Sequence, residues 1–320
     1  MRTKPLPRAQ GKWLLGILCV GAALLIQPVQ DRIDAQTDHT SMDPDILYLE
    51  SPHVVKAMAL GYDDLVADVY WMRAIQYYGR REEAARRRVP YKNLAALLDI
   101  VTTLDPKMVD VYRVGSIFLA EPEPLGAGKP LESIRLLEKG ISLLPQEWRL
   151  RYDKGFVYYI YLKDFQQAGR TWLDASRVEG APPWMEGFAA FSLSQGGAVE
   201  MAKELWRRQL ENSTRADLKE NAKNHLDSIQ VDEDLWTIEF FLEKYTAARG
   251  TPAAQLEDLV RAGYFRFVPK DPSGVPYRYI AATGAVNLSP QSKVHYLAPT
   301  NNYKEIFMTN LARAYQPTRK

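Results

Sequence analysis

The stretch "LPQEWRLRYDKGFVYYIYLKDFQQAGRTWLDASRVEGAPP", residues 144–183, holds two helix-period runs between two prolines. In the first run Tyr152 stands three residues before Gly155, and in the second Phe165, Ala168, Trp172 and Ala175 follow at helical spacing. A small residue at Ala168 lets the first helix come close. A large ring one turn later, Trp172, fills the groove that remains. Proline closes the unit because it cannot continue a helix.

The pattern recurs on both sides. Upstream, "LDPKMVDVYRVGSIFL" places Tyr112 three residues before Gly115. Its second helix follows an inserted loop, "AEPEPLGAGKP", with Ser133 and Leu137 at the small and large positions. Downstream, "PPWMEGFAAFSLSQGGAVEMAKELWRRQL" repeats the Ala-x-x-x-Trp spacing with Ala202 and Trp206. The turn prolines Pro106, Pro145 and Pro182 lie 39 and 37 residues apart. A looser unit at 60–106 offers Leu94, Leu98 and Val101 for the groove.

These residues resemble the tetratricopeptide repeat, a helix–turn–helix unit of about 34 residues. The resemblance covers residues 52–229. It implies a mainly α protein, a right-handed α-solenoid, whose concave surface holds a peptide or helix of a protein partner. Candidate contacts on helices facing such a groove are Tyr112, Arg113, Arg151, Tyr152, Tyr158 and Arg170. "FVYYIYLKDF" (Phe156–Phe165) spreads aromatic residues over every helix face, so most are expected in the core.

The solenoid reading also interprets "GYDDLVADVYWMRAIQYYG", residues 61–79, where three acids interrupt an apolar run. Asp63 and Asp64 fit the first turn of a helix, where the dipole favours acid. Asp68 is expected to meet an arginine or a backbone amide of a neighbouring helix. Just beyond, Arg80, Arg81, Arg86, Arg87 and Arg88 sit among Glu82 and Glu83. They read as a solvated helix end, or as a contact for an acidic partner or lipid headgroups.

The N-terminus reads as an address. Residues 1–12 carry Arg2, Lys4, Arg8 and Lys12 and no acid, and the uncharged run Trp13–Val29 follows. A basic flank before a short apolar helix is a signal peptide or a signal anchor. No A-x-A site follows the run, and Leu18 precedes Cys19 where a lipoprotein needs a small residue, which favours retention over cleavage. Acids Asp31, Asp34, Asp38, Asp43 and Asp45 come after it. This asymmetry orients the N-terminus to the cytoplasm and the body to a periplasm-like space outside the inner membrane. Four parts result: an anchor at 1–29, a polar tether at 30–50, repeats at 51–229 and a different module at 230–320.

That last module mixes helices and strands. "VDEDLWTIEFFLEKYTAARG" reads as a helix capped by Asp232 and stopped by Gly250, and Thr251–Pro252 opens another helix running to Gly263. Residues 264–289 alternate in the manner of a β-hairpin or three-stranded meander. "NNYKEIFMTNLARAY" forms a last helix, with Asn302 and Glu305 in a capping-box spacing. "DPSGVPY" (Asp271–Tyr277) resembles the D-P-x-G-x-P-Y turn of type II pseudopilins and related pilin-like proteins, without their N-terminal methylation signal or long helix. A single anchor, repeats and this ending together look like a group of bacterial envelope proteins. The small α/β module is expected to cap the open end of the solenoid.

Composition narrows the function classes. In 320 residues the net charge is +2, which excludes binding nucleic acid through overall charge. Cys19 is the one cysteine, and His39, His53, His225 and His295 form no HxxxH pair, so the sequence offers no disulfide framework or cysteine zinc site. No GxSxG, HExxH, P-loop or Rossmann pattern occurs. The sequence therefore points away from an enzyme and implies no cofactor, metal or small-molecule substrate. The expected role is a membrane-anchored scaffold or assembly factor for an envelope complex. The alternatives are a permanent accessory subunit of a membrane complex, and an enzyme or ligand carrier with a pocket between solenoid and cap.

Overall fold

The computed structural model describes residues 51–79, 91–297 and 303–315, together with the single positions 28 and 32. Apart from Pro28 and Arg32, the expected anchor and tether lie outside the described residues, as do Arg80, Arg81, Arg86, Arg87, Arg88 and Asn302. Among the described residues no helix is long and apolar enough to cross a membrane.

The described chain is mainly helical, with one two-stranded sheet. Its helices are α1 (Pro52–Met58), α2 (Asp63–Gly79), α3 (Leu94–Leu104), α4 (Val109–Ala120), α5 (Pro130–Leu143) and α6 (Trp148–Phe156), followed by α7 (Phe165–Ser176), α8 (Met185–Gln195), α9 (Val199–Asn212), α10 (Ala216–Arg249), α11 (Glu257–Arg261) and α12 (Tyr303–Ala314). Strands β1 (Arg278–Ile280) and β2 (Ala285–Asn287) pair antiparallel between α11 and α12. From α3 to α10 each helix packs chiefly on its neighbours in sequence. The inserted loop falls between α4 and α5.

The small and large positions read from the sequence are buried. Ala168, Ala202, Leu94, Leu98, Val101, Ser133 and Leu137 have no exposed surface, and Trp172 and Trp206 are almost completely buried. Removing an indole from water contributes about 5 kcal/mol, at roughly 200 Å² and 25 cal/mol per Å². Trp172 Nε1 donates to the Tyr152 carbonyl at 2.9 Å, so its polar edge is satisfied as well. Gly155 makes this possible, since a Cβ there would overlap the indole nitrogen.

Several expectations are corrected. Asp232 caps nothing: α10 runs unbroken for 34 residues, and Asp232 lies buried inside it. Apolar Ile229, Val231 and Trp236 continue through "VDED" without a glycine or proline, so the helix has no reason to stop. Gly250 does end it, at φ 74°. The helix expected from Pro252 shrinks to the five residues of α11, and 264–268 pairs with no strand. The "DPSGVPY" turn closes on itself: Asp271 Oδ1 accepts from the amides of Ser273 (2.8 Å) and Val275 (3.0 Å).

Asp63 and Asp64 open α2 as expected. Asp68, however, is exposed, and no ion pair reaches it among the described residues. The helix itself is not surrounded either. Leu65, Val69 and Met72 are 62%, 44% and 53% exposed. With its packing made on α3, α2 lies at an end of the described array and leaves one apolar face open.

Replacing Gly155 with alanine is expected to destabilise the chain by about 1–3 kcal/mol, the usual cost of overpacking. The loss would be read as a lower urea midpoint at constant m. An unchanged midpoint would show that α6 and Trp172 are not held at this distance.

Candidate functional site

The π turn that continues α6, Val157–Leu162, ends at Lys163 in the left-handed region, φ 54°. The chain then re-enters a helix through Asp164, whose carboxylate accepts from the Gln167 amide at 3.0 Å. Two bonds fix this corner against the end of α8: Ser192 Oγ to the Phe165 carbonyl (2.7 Å) and Gln166 Nε2 to the Gly196 carbonyl (2.8 Å). The corner forms one wall of a cavity of about 1130 Å³. Trp206 of α9 and His225, Ser228 and Asp232 of α10 form the second wall, and Leu297 and Tyr303 of the C-terminal module close the third.

A smaller cavity of about 310 Å³ adjoins it, lined by Trp172, Trp184, Phe188, Gln209 and Leu218 among others. Phe191, Asn221 and His225 line both and form the rim between them.

His225 stacks flat on Trp206, with centroids 4.2 Å apart and planes at 7°. Burial pushes its pKa down to about 4, so the ring is neutral at physiological pH. Asp232 moves the other way. Burial raises it to about 6, although the Tyr296 hydroxyl donates to it at 2.5 Å. Tyr303 donates to Glu233 and to Glu200 (3.2 Å), while Lys203 donates to Glu233 at 2.9 Å. Tyr277 donates to Asp234 at 2.7 Å. The cavity's third wall is thus fastened to α9 and α10 by hydroxyl–carboxylate bonds.

Three polar atoms in this region lack partners: Trp206 Nε1 and both amide atoms of Gln209, all shielded from solvent. Buried groups of this kind are rare and call for an explanation. Among the described residues no three acid, histidine or cysteine side chains gather to hold a metal ion.

None of the six residues expected to face a partner lines either cavity. Tyr112 is fully buried, its hydroxyl donating to the Pro106 carbonyl at 3.2 Å, and burial lifts its pKa to about 12. It makes no surface contact, because its ring is the filling between α4 and α5, where it meets Gly140. Arg113 binds Asp153 at 2.6 Å, and Arg151 donates to the Pro145 carbonyl at 2.8 Å. Tyr152 lies half-buried among Trp148, Phe156, Trp172 and Trp184, and Tyr158 lies half-buried with Lys154 over its ring. Arg170 is exposed.

Sequence reasoning missed Gln209, His225 and Asp232 as wall residues. Trp206 was found by its spacing from Ala202, and Gln209 lies one turn beyond it on the same face of α9.

A scan of protein-family models and a search of curated proteins each found no match to this chain.

A neutral His225 contributes stability that is complete above pH 6.5 and lost as pH falls toward 4. Asp232 acts in the opposite sense, its contribution complete below about pH 4 and lost as pH rises through 6. His225→Phe keeps the ring stack and removes one titration. The native chain is therefore expected to lose up to about 3 kcal/mol relative to this variant between pH 7 and 4. Denaturation midpoints at each pH measure the difference, and parallel profiles would contradict the neutral, buried ring.

Proposed function

We propose that this chain is a membrane-anchored interaction scaffold of an envelope complex. In this reading residues 52–229 form a right-handed solenoid of tetratricopeptide type. Residues 13–29 hold it in the inner membrane, with the N-terminus cytoplasmic and the body in the periplasm. It is not an enzyme, and its partner is a protein, with no role for nucleic acid. The partner segment lies in the groove between the α6–α7 corner, α9–α10 and the C-terminal module.

The observation that carries this is the 1130 Å³ cavity, which exceeds the usual 300–1,000 Å³ of small-ligand sites. Its rim offers Phe191, 38% exposed, beside the neutral His225. Aromatic residues around a desolvated centre are what protein interfaces are enriched in.

A second reading, a permanent accessory subunit, is favoured by the apolar surface at α1 and α2. There Leu60, Met58 and Leu65 are 84%, 69% and 62% exposed. A third, a ligand carrier, also uses the cavity between the array and the C-terminal module. Asp68 plays no part in it, because it lines neither cavity.

A benzophenone amino acid placed at Phe191 of the full-length chain in native membranes is expected to capture one protein on illumination. The same probe at Phe267, 73% exposed, is expected to leave that protein uncaptured. Capture from 267 but not 191 would move the interface off the groove. If instead a small molecule co-purifies and is released on denaturation, the carrier reading replaces the scaffold.

A further inference from the structure

The smaller cavity carries its own chemistry. Trp184 and Gly187 keep the three-residue spacing of Tyr112–Gly115 and Tyr152–Gly155. In the earlier unit Gly155 receives the Trp172 indole, whose N–H bonds to a backbone carbonyl. At Gly187 the facing group is instead the Gln209 carboxamide, 3.3 and 3.4 Å from where a Cβ would sit. Trp206 keeps the large ring position of this unit, and the group that faces its glycine is a buried amide with neither donor nor acceptor partner.

Every side chain lining this cavity is neutral, since burial holds His225 unprotonated. Its 310 Å³ stands at the bottom of the small-ligand range, room for one side chain rather than a cofactor. The rings of Trp172, Trp184 and Phe188 give it aromatic walls suited to another ring. An occupant that satisfies Gln209 must both donate and accept at one edge. Among neutral aromatic side chains indole only donates, phenylalanine does neither, and neutral imidazole carries its donor and acceptor on separate, diverging nitrogens, whereas the phenol oxygen of tyrosine does both at one atom.

We propose that this cavity is an anchor pocket for a tyrosine side chain of the partner segment: the Gln209 carboxamide, shielded as it stands, turns toward the ring edge so that the hydroxyl donates to Oε1 and accepts from Nε2. This rests on the scaffold reading for the source of the tyrosine, but the pocket's selectivity is tested without any partner.

The test measures p-cresol and toluene, the side chains of tyrosine and phenylalanine, binding to the full-length chain in detergent by saturation-transfer NMR. Native protein is expected to hold p-cresol about tenfold or more tighter than toluene, since the alternative leaves two buried polar atoms unpaired. Gln209→Leu is expected to abolish that preference while keeping toluene bound, and to fold at least as stably because it removes the orphaned amide. Gly187→Leu is expected to block both. Equal affinities for the native chain, or a preference that survives Gln209→Leu, would overturn the pocket. That result would leave crosslinking from Phe191 untouched, whereas a selective pocket without any captured protein would overturn the scaffold instead.

Discussion

Three consecutive carboxylates on one helix, Asp232, Glu233 and Asp234, hold the C-terminal half of the molecule together. Each accepts a hydroxyl from a different later segment: Tyr296, Tyr303 and Tyr277 respectively. Neighbouring residues on an α-helix point about 100° apart, so the three tyrosines reach α10 from different sides. Burial raises the carboxyl pKa of Asp232 and Asp234 and the hydroxyl pKa of all three tyrosines. A buried carboxylate without a donor would cost several kcal/mol, so the acids and tyrosines require each other.

This clasp also makes the groove. Tyr303 and Leu297 lie against the cavity, and Tyr296 and Tyr303 both bond to carboxylates of α10. Ser228 Oγ accepts from the Leu297 amide at 2.9 Å, extending the fastening one turn toward His225. Lys203 and Glu200 bring α9 into the same network. The array supplies two walls, and the C-terminal module supplies the third. That division gives the C-terminal residues one wall of the groove.

What was legible in the sequence was local. Proline as the closure of a unit, with Ala168 and Trp172 as its small and large positions, follows from helix period and ring size alone. What failed depended on neighbours. Tyr112 reads as a surface contact because a tyrosine suits one, but the facing Gly140 makes room for its ring in the core. Asp232 reads as a cap because an acid before an apolar run usually is one, whereas the tyrosine that binds it lies 64 residues away. Leu65 and Met72 belong to an apolar run yet stand exposed, and sequence pattern alone does not reveal which face of such a helix a neighbour covers. Gln209 carries no sequence signal beyond its spacing from Trp206, and only the missing partners of its buried amide mark it.

Hydrogen exchange of the full-length chain tests the clasp most directly. It compares the native protein with the combined Tyr277→Phe, Tyr296→Phe and Tyr303→Phe variant. Amides of residues 264–297 and 303–315 are expected to lose protection together, while those of α7, α8 and α9 keep theirs. Unchanged protection of the module would contradict the clasp, as would loss of protection throughout α7–α9 at the same rate.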